Sequence, residues 1–252
     1  VPTGPALWAG IATPLLVFQW IAGVHNDAVL VALIALAVVA AQRGEWSGLL
    51  LGGALIGASL TIKQSGAAAG LGIVALAWAA SPGRSWARLA GRAAAAGSAA
   101  VAVFAAVSLG SGLGFGWSNS TAGSPLAVMS DSPLSWIIQV IKLLALDAWV
   151  APAQRILTLV AGVMVLGAWA WLVVRFGPRP GEPGRPWIVL LGGLLAFAVL
   201  GPALQPWYFT WVAPFVALAL PDRRWQRIWL SATVVVVLAA TTRVAFGSPL
   251  LG

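Results

Sequence analysis

Apolar stretches follow one another along almost the whole of this chain, at roughly 6–23, 28–42, 47–62, 65–80, 93–110, 155–175, 187–204, 207–220 and 228–246. A helix crosses the hydrocarbon of a bilayer with about 20 apolar residues, within a range of about 17–25. Only 8% of the residues are charged, where soluble domains carry about 25%. With 60% hydrophobic residues and a mean hydropathy of +0.94, a single core of this length could not bury the apolar surface, so the solvent must be lipid. The expected fold is all-α: a polytopic transmembrane helical bundle of about 8–9 membrane segments, with residues 1–252 forming one transmembrane domain. The stretches 28–42 and 207–220 are short, which suggests tilted or broken helices. The run 135–149 is apolar but holds Lys142 and Asp147, and reads as an interfacial or re-entrant helix within a longer outer loop, 111–152.

Loop charge orients this layout. Arg43, then Arg84, Arg88 and Arg92, then Arg175, Arg179 and Arg185, then Arg223, Arg224 and Arg227 all fall on one side. Lys63, Lys142, Arg155 and Arg243 fall on the other. Positive charge marks the cytoplasm. The net charge of +8 is thus a topology signal, and no nucleic-acid partner is implied. Cysteine is absent, which removes disulfides and thiolate chemistry. Trp46, Trp86, Trp187, Trp225 and Trp229 lie near inner helix ends; Trp20, Trp117, Trp136, Trp149, Trp207 and Trp211 lie near outer ones. Most read as interfacial anchors, the outer set also offering surfaces for sugar stacking.

The same layout sends the unusual polar strings to the outer face. Val24-His25-Asn26-Asp27 interrupts an apolar run and holds the one histidine of the chain. Asn26 or Asp27 could simply cap the helix that follows. With His25 they also have the atoms to bind a phosphate, a divalent metal or sugar hydroxyls, and Asp27 is a candidate general base. In Lys63-Gln64-Ser65 the lysine either snorkels outward or neutralises a phosphate. In Gln205-Pro206-Trp207-Tyr208 the proline breaks a helix, and such a break at membrane depth is tolerated where it is buried or lines a cavity. Its alternative is a kinked helix with interfacial aromatics. Asn119-Ser120-Thr121 has the form of a glycosylation acceptor, to which little weight attaches. Asp131 and Asp147 read as solvated carboxylates.

Gly23-Val24-His25-Asn26-Asp27-Ala28, Ile62-Lys63-Gln64 and Gln205-Pro206-Trp207-Tyr208-Phe209-Thr210-Trp211 together resemble the polyprenol-phosphate-mannose-dependent alpha-1,6-mannosyltransferases of actinobacteria, which are GT-C membrane glycosyltransferases. The resemblance implies a multi-pass protein of the cell membrane with an extracytoplasmic active face. It implies a polyprenyl-phosphate mannose donor and a lipid-linked mannan acceptor, the core of lipomannan and lipoarabinomannan. Such enzymes usually carry their catalytic carboxylate in the first outer loop, whereas the first outer junction here is the His25-Asn26-Asp27 string. The chain is therefore expected to be the C-terminal portion of a longer enzyme, with the main base upstream. His25, Asn26, Lys63, Gln64, Gln205, Trp207 and Tyr208 are the expected substrate-binding residues, and Asp27 the catalytic candidate. No metal site and no cofactor is assigned, although a divalent metal is compatible with this chemistry, and no soluble nucleotide sugar is required. The alternative reading, from another class, is a transporter or flippase of a lipid-linked sugar, which would need a polar path across the bundle.

Overall fold

A computed structural model describes residues 4, 10, 12–22, 26–81, 85–112, 114, 132–177, 185–201, 204–220 and 222–246. Every regular element among the described residues is helical. A short α1 (Pro14–Leu16) opens with a Thr13 cap and continues as a π-helix, Val17–Ala22. Then come α2 (Asp27–Ala41), α3 (Trp46–Ile62), a 3₁₀ turn (Gln64–Ala69), α4 (Gly70–Ala79) and α5 (Trp86–Gly110). After these follow α6 (Pro133–Leu143), a 3₁₀ turn (Asp147–Trp149), α7 (Val150–Phe176) and α8 (Pro186–Leu200). A 3₁₀ turn (Pro206–Trp211) leads into α9 (Ala213–Ala219), and α10 (Arg223–Phe246) closes the described chain.

The helices start where local chemistry allows. Ser85 and Ser132 accept the first-turn amides of Arg88 and Ser135, at 3.3 and 3.1 Å. Pro133 and Pro186 occupy first-turn positions, where the missing N–H costs nothing. Among the described residues these elements fall on the apolar stretches, and the run 135–149 holds most of α6 and the 3₁₀ turn Asp147–Trp149. Three helices begin more than a turn earlier than their apolar stretches, α5 at Trp86, α7 at Val150 and α10 at Arg223, so Arg88, Arg92, Arg155, Arg223, Arg224 and Arg227 lie on first turns and not in loops.

Small residues set the packing and reveal helix direction. A Cβ on Gly53 would collide with the Ala96 backbone, and one on Gly57 with the Ala100 backbone. Positions thus rise together on α3 and α5, which run parallel. Gly48 abuts Ala40, and Gly52 abuts Ala37, so α2 and α3 are antiparallel. Gly72 faces Leu190 and Gly193 faces Ala68, making α4 and α8 antiparallel; Gly192 faces Leu172, which does the same for α7 and α8. The Trp169 indole donates to the Gly193 carbonyl at 3.0 Å and fixes that last contact. Between these helices lies an apolar core of Leu30, Ile34, Leu49, Ile73, Leu190, Leu194 and Phe215.

Asp27, Lys63, Gly110, Val150 and Leu200 therefore lie toward one end of the bundle. Arg43, Arg88, Arg92, Arg175, Arg185 and Arg223 lie toward the other. Arg84 and Arg179 fall outside the described residues. At the basic end Arg92 is buried: its guanidinium donates to the carbonyls of Ala77 (3.1 Å) and Gly44 (3.0 Å) and lies 5.0 Å over the Trp46 ring. Gly44 turns the chain between α2 and α3 at φ +69°, with Ala80 pressed against it. Arg92 thereby ties the α2–α3 hairpin to α4. Arg92→Lys cannot hold both carbonyls in a planar fork. It is expected to lower stability in detergent denaturation by about 1–3 kcal/mol.

Two stretches, Trp86–Gly110 and Asp147–Phe176, are long and apolar enough to cross a membrane. Their apolar side chains point mostly outward, as at Val101, Leu159, Val163 and Val174. Five other apolar helical stretches are 10–17 residues long.

Candidate functional site

Three strings far apart in the sequence meet at the end opposite Arg92. The first comes from the start of α2. Asn26 takes the N-cap position without a side-chain bond; its carbonyl accepts from Val29 and Leu30. Asp27 is the first helical residue, where a carboxylate is favoured by the helix dipole. Its side chain is fully buried.

The second string follows α3. Lys63 breaks the helix into extended backbone, φ −152° and ψ 142°, before the 3₁₀ turn begins. Its amide donates to Ser59 and its carbonyl accepts from Gly66, both at 3.1 Å. Gly66 lies against Ser59 where no side chain would fit, which closes the break tightly. Lys63 is thus turned toward α2, and its ammonium donates to Asp27 Oδ2 at 2.6 Å. The lysine side chain remains 28% exposed, whereas the carboxylate is sealed. Gln64 is exposed. The buried Ser65 hydroxyl finds no partner among the described residues.

The third string follows α8. Pro206 cannot donate to a continuing helix, and the chain folds into the 3₁₀ turn Pro206–Trp211. Tyr208 N–H donates to the Gln205 carbonyl at 3.0 Å, and the buried Thr210 hydroxyl donates to the Trp207 carbonyl at 2.6 Å. The turn delivers Trp211 to the interior, where its indole N–H donates to Asp27 Oδ1 at 2.6 Å. Tyr208 stacks on Trp211 with centroids 4.2 Å apart and an interplanar angle of 24°. Trp207 meets the Tyr208 ring edge-on at 6.3 Å. Gln205, Trp207 and Tyr208 are all half-buried.

Both oxygens of Asp27 thus accept donors from remote strings. Chemically the cluster offers a partly exposed lysine beside half-buried aromatic residues, a set suited to an anion attached to a sugar or an apolar chain. His25, Asp131 and Asn119-Ser120-Thr121 lie outside the described residues. Asp147 is exposed. Among the described residues, no group of three His, Cys, Asp or Glu side chains gathers to hold a metal ion.

Trp211 is the residue that sequence reasoning missed. It reads as an interfacial anchor, yet it is 1% exposed. The available signal was its place three residues after the one tyrosine, so that both rings share a helical face. Trp136 and Trp149, by contrast, are exposed in the manner of anchors.

Comparison with known proteins points one way. Residues 1–80, which include Asp27 and Lys63, match the family model described as alpha-(1->6)-mannopyranosyltransferase, N-terminal domain. A probable alpha-(1->6)-mannopyranosyltransferase of Mycolicibacterium smegmatis is 30% identical over 245 residues, covering 85% of this chain and 43% of that protein. Alpha-(1->6)-mannopyranosyltransferase A of Mycobacterium tuberculosis is 26% identical over 240 residues, covering 88% of this chain and 43% of that protein. The chain spans less than half the length of these curated relatives. No solved structure matches it.

Proposed function

From its kinship with the alpha-(1->6)-mannopyranosyltransferases, we propose that this chain is part of a membrane enzyme that moves mannose from polyprenyl-phosphate mannose to a lipid-linked mannan at the outer membrane face. The bundle sits in the cell membrane with about 8–9 crossings. Its basic end faces the cytoplasm, which puts Asp27, Lys63 and the Gln205–Trp211 string outside.

The observation that carries this reading is the meeting of three remote strings at Asp27, with the Lys63 side chain left partly exposed. In the transfer, an acceptor hydroxyl oxygen bonds to the anomeric carbon and the bond from that carbon to the phosphate oxygen breaks. The hydroxyl proton passes to a base, and the polyprenyl phosphate leaves with the bonding pair. Lys63 neutralises charge growing on that phosphate. Asp27 holds Lys63 in place, while Tyr208 and Trp207 line the path of the sugar or the lipid. Asn26, Gln64 and Gln205 stand around the same end as hydroxyl or phosphate partners, and His25, next to Asn26 in the sequence, is assigned the same role.

A carrier would need polar groups continuing through the bundle. Between Asp27 and Arg92, the described core is built from Leu30, Ile34, Ala37, Leu49 and Ile73, which disfavours that alternative. The test is mannosyl transfer from polyprenyl-phosphate mannose in membranes containing the full-length protein. Lys63→Ala is expected to lower the rate at least about tenfold, as loss of a charged hydrogen bond to the leaving group would. Asp27→Ala should do likewise. Undiminished transfer by both variants would remove the site assignment, and no transfer by well-folded full-length protein would remove the enzyme reading.

A further inference from the structure

The three side chains that meet at Asp27 differ in how firmly each is held. Lys63 has a flexible four-carbon stem and is partly solvated. A carboxylate rotates broadly about its last torsion unless its oxygens are pinned. Trp211 is the rigid member. It is 1% exposed and sits in a turn closed by the Thr210 hydroxyl. Tyr208 stacks on it, and Phe197 packs against it at 6.2 Å with a 53° tilt.

We infer that Trp211 is a positioning residue that sets the cationic and the aromatic parts of the site in register through one indole ring. Its N–H fixes Asp27 Oδ1, which turns Oδ2 toward Lys63 and so places the ammonium. Its face carries Tyr208. A tryptophan N–H only donates, so its partner must be an acceptor oxygen. The spacing between an anion on Lys63 and an apolar or sugar face on Tyr208 is therefore decided by a residue that need not touch the ligand. This role rests on the reading of Lys63 as the phosphate ligand; the geometric part, the hold on Lys63, stands without it.

The test uses the chain's lysines, Lys63 and Lys142. Full-chain protein in detergent is labelled with an amine-reactive reagent, and modification of each lysine is followed by mass spectrometry. The exposed Lys142 serves as internal reference. Trp211→Phe keeps a ring for Tyr208 but deletes the N–H. Freed from its pinned carboxylate, Lys63 should react about tenfold faster, with Lys142 unchanged, as expected for the loss of one hydrogen bond to a charged acceptor. Unchanged Lys63 labelling in folded Trp211→Phe would overturn the proposal. Should that variant not fold, Trp211→His keeps a ring donor. Its Lys63 labelling should then stay within about twofold of the parent, while Trp211→Gly in the same assay should not; equal labelling in these two would also overturn the proposal.

A kinetic arm separates the two layers. In transfer assays, Trp211→Phe should lower kcat about tenfold with little change in the donor KM, and adding it to Lys63→Ala should cost nothing further. Additive losses would show that Trp211 acts as packing alone. If labelling responds while no variant alters transfer, the hold on Lys63 stands and the assignment of Lys63 to the donor falls.

Discussion

Lys63→Ala is expected to destabilise the bundle by about 2–3 kcal/mol, and Asp27→Asn combined with Lys63→Met to recover most of that loss. Removing one member of a buried ion pair costs about 3–5 kcal/mol, because the survivor keeps its desolvation cost without its partner. Here the survivor is Asp27, which is fully buried and retains the Trp211 indole as a donor. The lysine is 28% exposed, so solvent already screens part of the attraction and the expected loss falls at or below the lower end of that range. In the double variant no charge remains to be buried, the asparagine oxygen can still accept from Trp211, and methionine fills the space of the lysine stem. Unfolding of the detergent-solubilised protein by increasing sodium dodecyl sulfate would read both values. Transfer activity should stay low in the double variant, since the ammonium is gone. Equal stability of parent and Lys63→Ala would show that the pair contributes nothing to the fold.

The largest loss of stability is expected at the α3–α5 contact. A Cβ at Gly57 would overlap the Ala100 carbonyl, and one at Gly53 would overlap that of Ala96. Both obstacles are helix backbone, which cannot rotate aside as a side chain would. Overpacking costs about 1–3 kcal/mol and more where the surroundings cannot yield. Gly57→Leu should therefore lose at least about 3 kcal/mol or fail to give folded protein. Gly162→Ala on α7 is the control, since nothing lies within 4 Å of its added Cβ. That change should be neutral or stabilise by about 0.5–1 kcal/mol through backbone entropy alone. Parental stability in Gly57→Leu would mean that α3 and α5 do not pack by these glycines.

Both predictions act on contacts that local patterns do not display. The apolar helices α2, α4 and α8 are apolar on every side, so the sequence does not say which face is buried. Gly53 and Gly57 are visible as small residues, but Ala96 and Ala100 are unexceptional within the alanine-rich α5. The site divides in the same way. Asp27, Lys63, Trp207 and Tyr208 stand out because charge and helix breaks are costly in apolar surroundings. Trp211 does not stand out, because its importance lies in where its N–H points.

What the sequence determined by itself was helical structure, its approximate limits and the segregation of polar strings from basic loops. Those follow from the length of apolar runs, from prolines that cannot continue a helix and from charges that resist burial, all of them local properties. Only the tertiary structure decided the partners. Asp27 lies 36 residues from Lys63 and 184 from Trp211. No short-range rule links such positions: they meet because small residues let the helices approach and because two helix breaks, at Lys63 and Pro206, release one ammonium and one indole toward the same buried carboxylate.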